Sequence, residues 1–263
     1  MPFTAAHPAA VVYLQRLPWK LSGIALVAGS IAPDMEFYLR LRAHAIGAES
    51  LWTQVLIGTL LCLAWQWKLR QLCAEIMPAV LVRRFGIGAP ADFISQALKR
   101  PLSHLLALLA GIFSHWAWDS FTHHDGLCIQ WFPVLAQQWQ LPFTDEPVRV
   151  FFLLQILSSI VGIGLLLNYR HTPGTERHTG PLAMPSKRKK WRTRGLFILT
   201  WAGVLWISAG MLPASRFIWD DVFHVLGAGL YALILLALFM FLVENSGHSL
   251  VVGAGNPEKV SKP

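Results

Sequence analysis

The sequence predicts an all-α protein, a polytopic transmembrane helical bundle of about six spans, and three observations carry that prediction. Only 14% of its 263 residues are charged and 54% are hydrophobic, whereas soluble domains carry about 25% Asp, Glu, Lys and Arg. The apolar residues are gathered into long runs. The basic residues are gathered between those runs, and on alternate loops.

A spanning helix needs about 20 mostly apolar residues. Taken in chain order, the first run, 18–32, is short, and reads either as a span or as a re-entrant or buried piece. The runs 51–69, 101–121, 148–168, 196–213 and 222–243 have the length and composition of spans. The 12 Trp fit the same reading, because Trp collects where lipid meets water.

Lys and Arg accumulate in short cytoplasmic loops. Between 168 and 196 lie Arg170, Arg177, Lys187, Arg188, Lys189, Lys190, Arg192 and Arg194 against the single acid Glu176, which assigns that loop to the cytoplasm. The stretch 122–147 has no Lys or Arg and carries Asp125, Asp145 and Glu146, so it faces outward. Arg70, Arg83, Arg84, Lys99 and Arg100 return 70–100 to the cytoplasm. With six spans, both termini are then expected inside. Four regions follow: a membrane-embedded half, 1–168; a basic cytoplasmic linker, 169–195; a two-helix part, 196–246; and a disordered tail, 247–263.

The net charge of +8 would suggest nucleic acid in a soluble protein. Here it follows membrane orientation, so the expected partner is the lipid bilayer and nucleic acid is excluded. Three cysteines with no CxxC spacing indicate neither a disulfide framework nor a thiolate zinc site. No phosphate-binding glycine loop, nucleophile elbow or dinucleotide fingerprint is present, which removes the kinase, serine-hydrolase and dehydrogenase classes.

The chemistry is concentrated where the run 101–121 ends, in SHWAWDSFTHHDG, with His115, Asp119 and His123 four residues apart. On a helix that spacing stacks them along one face. Imidazole and carboxylate are the ligands of zinc and related divalent ions. The outer pair is about 12 Å apart along an ideal helix, so either the helix ends near Phe121 and His123 folds back, or one of the three is not a ligand. His124 and Asp125 add ligand or substrate-binding candidates at the same end. A buried structural pair and a proton or ion path are the competing readings, since ionisable groups inside a span are costly and functional.

A second polar cluster, Asp34, Glu36, Arg40 and His44, follows the first apolar run. Asp34 after Pro33 reads as a helix cap, or, with its loop on the same side as His115, as a second limb of a metal site. Arg40 reads as an anchor for a phosphate or carboxylate, or as the partner of Glu36 one turn away. His7, in an apolar stretch, has no partner that spacing reveals.

FTAAHPAA, ALVAGSIAPD and SHWAWDSFTHHDG followed by WFP together resemble, over nearly the whole chain, an uncharacterised family of bacterial integral membrane proteins defined only as a domain of unknown function. Over residues 2–133 the order of motifs is also similar to that of membrane-bound metal-dependent hydrolases, themselves distantly similar to zinc-dependent phospholipase C and the S1/P1 nucleases. That resemblance implies a metal site of His7, Asp34, His115, Asp119 and His123, with His44 where the hydrolases carry a His ahead of a span. Their His-Arg and Thr-His-Ser are replaced here by Arg42-Ala43-His44-Ala45.

The expected protein is a metal-dependent hydrolase of the bacterial inner membrane. Zinc is its expected cofactor, Asp34 or Glu36 its base, and a phosphoester or lipid-linked phosphate at the membrane boundary its substrate. A non-catalytic protein with a structural metal or polar site, and an ion or solute transporter, are the alternatives. One geometric fork is left to the structure. If 18–32 crosses the bilayer, a cytoplasmic His7 cannot meet Asp34.

Overall fold

The computed structural model describes residues 3–17, 21–42, 50–87, 93–142, 146–169, 185–211 and 218–252. After two 3-10 segments, Thr4–Ala10 and Val12–Arg16, the chain forms α1 (Gly23–Ile31) and α2 (Met35–Arg40). It continues through α3 (Leu51–Ala64), α4 (Arg70–Ile76), α5 (Ala79–Arg84), α6 (Phe93–Lys99) and α7 (Pro101–Thr122). Then come α8 (Leu127–Trp131), α9 (Val150–Asn168), α10 (Lys187–Met211) and α11 (Ile218–Val252). Among the described residues the one departure from helix and loop is a two-stranded ladder, β1 (Gln138–Trp139) against β2 (Val148–Arg149), at the end of the stretch expected to be a loop.

Local chemistry accounts for the main helix boundaries. Ser22 and Ser50 cap α1 and α3 by accepting from the amides of Ala25 and Thr53, which satisfies donors that a first turn leaves open. Pro101 opens α7, where its missing N–H costs nothing. Gly126 follows the end of α7; a Cβ there would lie 2.2 Å from the Ser120 carbonyl oxygen, so the turn into α8 requires glycine.

Two segments, Val150–Asn168 and Asp221–Val243, are long and apolar enough to cross a membrane. They agree with the expected runs 148–168 and 222–243. Helix α7 coincides with 101–121, and 51–69 lies in a helix that passes through a π-turn at Trp65–Leu69 into α4. Outward faces are apolar: Leu56, Leu102, Leu157, Ile160 and Trp206 are all exposed.

The first apolar run is different. Only Gly23–Ile31 of it is helical; nine residues rise about 13 Å against a hydrocarbon core of about 30 Å. By itself, helix α1 is too short to cross. It packs inside the molecule against α7, with Ala25, Leu26, Ala28, Cys62, Ala107 and Leu108 in one buried cluster. The segment before it lies along α9: the Phe3 amide donates to Ser159 Oγ, Tyr13 OH donates to the Leu165 carbonyl, and Gln15 bonds the Tyr169 hydroxyl. The chain therefore descends toward the end of α9 and returns through α1 as a hairpin. Its two limbs bring His7 and Asp34 to the same level.

Two helices pass the boundaries expected for them. The stretch 187–195, within the expected basic linker, is helical and opens α10, and α11 runs to Val252. Buried Glu75 explains the first. It accepts from Lys189 Nζ at 2.8 Å, Thr193 Oγ1 at 2.7 Å and Gln71 Nε2 at 3.2 Å. Arg194 adds bonds to the carbonyls of Ile76 and Met77 at the end of α4. Glu75→Ala should leave the Thr193 hydroxyl buried without its acceptor and cost about 1–3 kcal/mol, read as a lower midpoint in denaturant titration. Thr193→Val should shift it the same way by less.

Candidate metal centre

Three elements converge on one point. His7 comes from the 3-10 segment Thr4–Ala10, Asp34 from the 3-10 turn Ala32–Asp34 that links α1 to α2, and His115 from the buried face of α7. Their donor atoms lie within 4.8 Å of one another, and all three residues are buried. The His7 ring stacks on His115 with centroids 3.9 Å apart, and Trp118, held by Ser158 Oγ, packs against His7 at 5.3 Å. Asp34 precedes α2 but makes no side-chain cap. Its carboxylate turns into the cluster instead.

The remaining residues of α7 complete the arrangement. Asp119, one turn beyond His115, places Oδ2 3.1 Å from His115 Nε2 and Oδ1 3.7 Å from His7 Nε2. Asp34 Oδ1 is 3.4 Å from the same His115 nitrogen. Helix α7 stops at Thr122, and His123, with extended backbone, folds back to bring Nδ1 within 3.5 Å of Asp119 Oδ2. The helix ends as the first of the two expectations has it, and, as in the second, the three-residue cluster His7, Asp34 and His115 does not include Asp119 or His123.

The hydrogen bonding orients the donors. His115 Nδ1 lies 2.7 Å from the Ser30 carbonyl. A carbonyl only accepts, so Nδ1 carries the hydrogen and Nε2 is the atom turned toward Asp34 and Asp119, as a metal-ligating imidazole requires. Asp34 Oδ2 accepts from Thr4 Oγ1 at 2.5 Å. The other atoms are left over. Both ring nitrogens of His7, Asp34 Oδ1 and Asp119 Oδ1 are buried without a hydrogen-bond partner.

An unmet buried polar group costs about 1–3 kcal/mol, and the convergence of such atoms from His7, Asp34 and Asp119 beside His115 suits a ligand better than packing. Nitrogen and carboxylate oxygen are the donors zinc takes. The residues present fit a divalent ion.

The other expected site residues are placed differently. Glu36 accepts from Arg40 Nε at 2.7 Å, the one-turn pair that the spacing allowed. His124 and Asp125 pair with each other at 2.9 Å and are exposed. His44 lies outside the described residues. Sequence reasoning passed over Ser30, Thr4 and Tyr38. Thr4 and Ser30 stand inside FTAAHPAA and ALVAGSIAPD, within four residues of the ligand candidates, and that proximity was the available signal.

Fold and site define a class: an all-α protein, with helices long and apolar enough to cross a membrane, built around a buried histidine–aspartate cluster. The chain belongs to the family described as Domain of unknown function (DUF4184), whose model matches residues 1–244 and so includes the whole cluster. No curated protein matches it, and no solved structure does.

Proposed function

We propose that this protein is a metal-dependent hydrolase of the bacterial inner membrane, holding zinc on His7, Asp34 and His115 and acting on a lipid-linked phosphoester. The observation that carries the reading is the buried convergence of one donor atom each from His7, Asp34 and His115 within 4.8 Å, with His7 and Asp34 Oδ1 lacking hydrogen-bond partners. Catalytic zinc sites keep three protein ligands and an open position. The opening here is on the Asp119 and His123 side, where the side chains are 17% and 30% exposed against 2% for His115.

A divalent ion there would supply Lewis-acid activation of water and of a phosphoryl oxygen. The protein's own groups have distinct tasks. Ser30 holds the His115 ring in place, and His7 packs against His115 and Trp118. Asp119 Oδ1, without a hydrogen-bond partner and 3.7 Å from His7 Nε2, would take a proton from the attacking water. Asp34 is fully buried as a ligand and Glu36 is bound by Arg40, so the base expected among them moves to Asp119. His123 Nδ1, beside Asp119, is placed to give a proton to the leaving oxygen.

Five spans replace six in this reading: the helix through α3, α7, α9, α10 and α11, with residues 3–34 as a hairpin entering from outside. The N-terminus is then outside and the C-terminus inside. Loop charge supports it, because the basic start of α10 meets α4 at one end of the bundle while the base-free stretch 122–147 follows the other end of α7. Substrate would come from the outer leaflet, past exposed Leu127, Trp131 and Phe132 in and beside α8, next to His123.

The test is metal analysis of protein purified without chelator, followed by turnover on phospholipid vesicles. About one zinc per chain, with phosphoester cleavage lost to chelator and restored by zinc, is the expected result. Folded protein that takes up no metal on titration overturns the reading. Bound metal with no turnover, and loss of fold on chelation, identifies a structural ion.

A further inference from the structure

We infer that Thr4 and Tyr38 are positioning residues for Asp34, and that helix α11 holds them in place, so that the C-terminal part of the chain sets the metal affinity of a site built from the N-terminal half. The inference rests on the metal reading above.

The direction of the hydrogen bonds is fixed by chemistry. An ionised carboxylate only accepts, so Thr4 gives its single hydroxyl hydrogen to Asp34 Oδ2. Having spent it, Thr4 Oγ1 can only accept from Tyr38 OH, 2.6 Å away. The chain Tyr38 to Thr4 to Asp34 occupies one carboxylate oxygen. It leaves Oδ1 buried, without a hydrogen bond, 3.4 Å from His115 Nε2. Asp34 is thus presented to the centre through one chosen oxygen. Hydrogen-bond partners behind a ligand are what orient it and tune its basicity.

Tyr38 is in turn held from the far end of the sequence. Its ring meets Phe223 edge-on at 5.3 Å, and Tyr231 OH donates to the Leu39 carbonyl at 2.7 Å. Gly227 sits so close that a Cβ would lie 2.4 Å from the Tyr38 carbonyl oxygen. Helix α11 therefore grips α2 at Tyr38 and Leu39, directly behind the Asp34 turn. The proposed chemistry uses none of Thr4, Tyr38, Phe223, Gly227 and Tyr231.

The experiment is zinc affinity of the full-length protein, by competition with a chromophoric chelator, beside the unfolding midpoint of the metal-free protein. Thr4→Val keeps the shape and removes the donor; affinity should fall about 10–100-fold, and Thr4→Ser should recover to within about threefold of wild type. Tyr38→Phe should fall less, since Thr4 still donates. Gly227→Ala should weaken zinc binding without touching a ligand. If wild type binds zinc and Thr4→Val binds it equally well, this inference fails while the metal reading stands. A variant that lowers only the metal-free midpoint, with unchanged affinity of the folded fraction, overturns it too. Should Thr4→Val not fold, Tyr38→Phe decides, and unchanged affinity there refutes the relay. A wild type that takes up no zinc overturns both readings together.

Discussion

His115→Ala is expected to abolish both zinc uptake and phosphoester cleavage, taking bound metal from about one equivalent to none by elemental analysis. No other residue touches as much of the site. Its Nδ1 is anchored on Ser30, its Nε2 faces Asp34 and Asp119, and its ring carries His7 in a stack. Alanine removes a ligand, unstacks a second, and leaves two carboxylates facing a void with no group between them. The loss should exceed the roughly 10–100-fold of an outer hydrogen-bond partner. Asp119→Asn separates binding from chemistry. Its amide keeps the shape but cannot take up a proton, so it should retain metal, weakened, while turnover is lost by about 10²–10⁴-fold. Retained turnover in Asp119→Asn would remove that residue from the role of base, and retained zinc in His115→Ala would dismantle the site.

The second large effect is expected at Gly111, where even one methyl group has no room. A Cβ there would lie 2.5 Å from the Leu26 carbonyl oxygen and 2.6 Å from the Ser30 nitrogen, and at Gly29 it would lie 2.2 Å from the Leu108 carbonyl oxygen. These are backbone atoms and cannot swing aside. Helices α1 and α7 cross at this pair, and the crossing places Ser30 against His115. Gly111→Ala should cost about 3 kcal/mol or more and lower zinc occupancy in whatever fraction folds, read by denaturant midpoint and metal content. Gly164, with nothing within 4 Å, is the contrast. Gly164→Ala should be neutral or stabilising by up to about 1 kcal/mol, since alanine is the better helix former.

The limb of the site on α7 was legible in the sequence because helical spacing is a strong signal: His115, Asp119 and His123 fall on one face whatever surrounds them. Helix positions were legible for the same reason, and α7 and α9 begin and end within two residues of the apolar runs. The hairpin was not. Hydropathy records that 18–32 avoids water; it does not distinguish lipid from protein as the place of refuge, and only the nine-residue length of α1 separates the two. The same blindness left spacing silent on His7, a candidate only through the family resemblance, because its partners are 27 and 108 positions away and follow no period. The helical start of α10 was not legible because Lys and Arg count as loop in a topology rule, although both are good helix formers and here lie against a buried acid. Thr4 and Ser30 were invisible for a further reason. A hydroxyl or a carbonyl acquires its role from what stands opposite, and only the fold supplies that.

The hairpin 3–34 also fixes an order of events during synthesis. Its residues leave the ribosome before the helices they must fit between, since α7 and α9 are completed only at Thr122 and Asn168. The opening segment has no stable place to go until more than half the chain has been made, and its buried polar atoms have no partner until it arrives. Assembly must therefore close inward on this strand of chain late, after the surrounding helices are in place. Metal would be captured at that closing step, making its arrival the mark of a finished molecule rather than the seed of one.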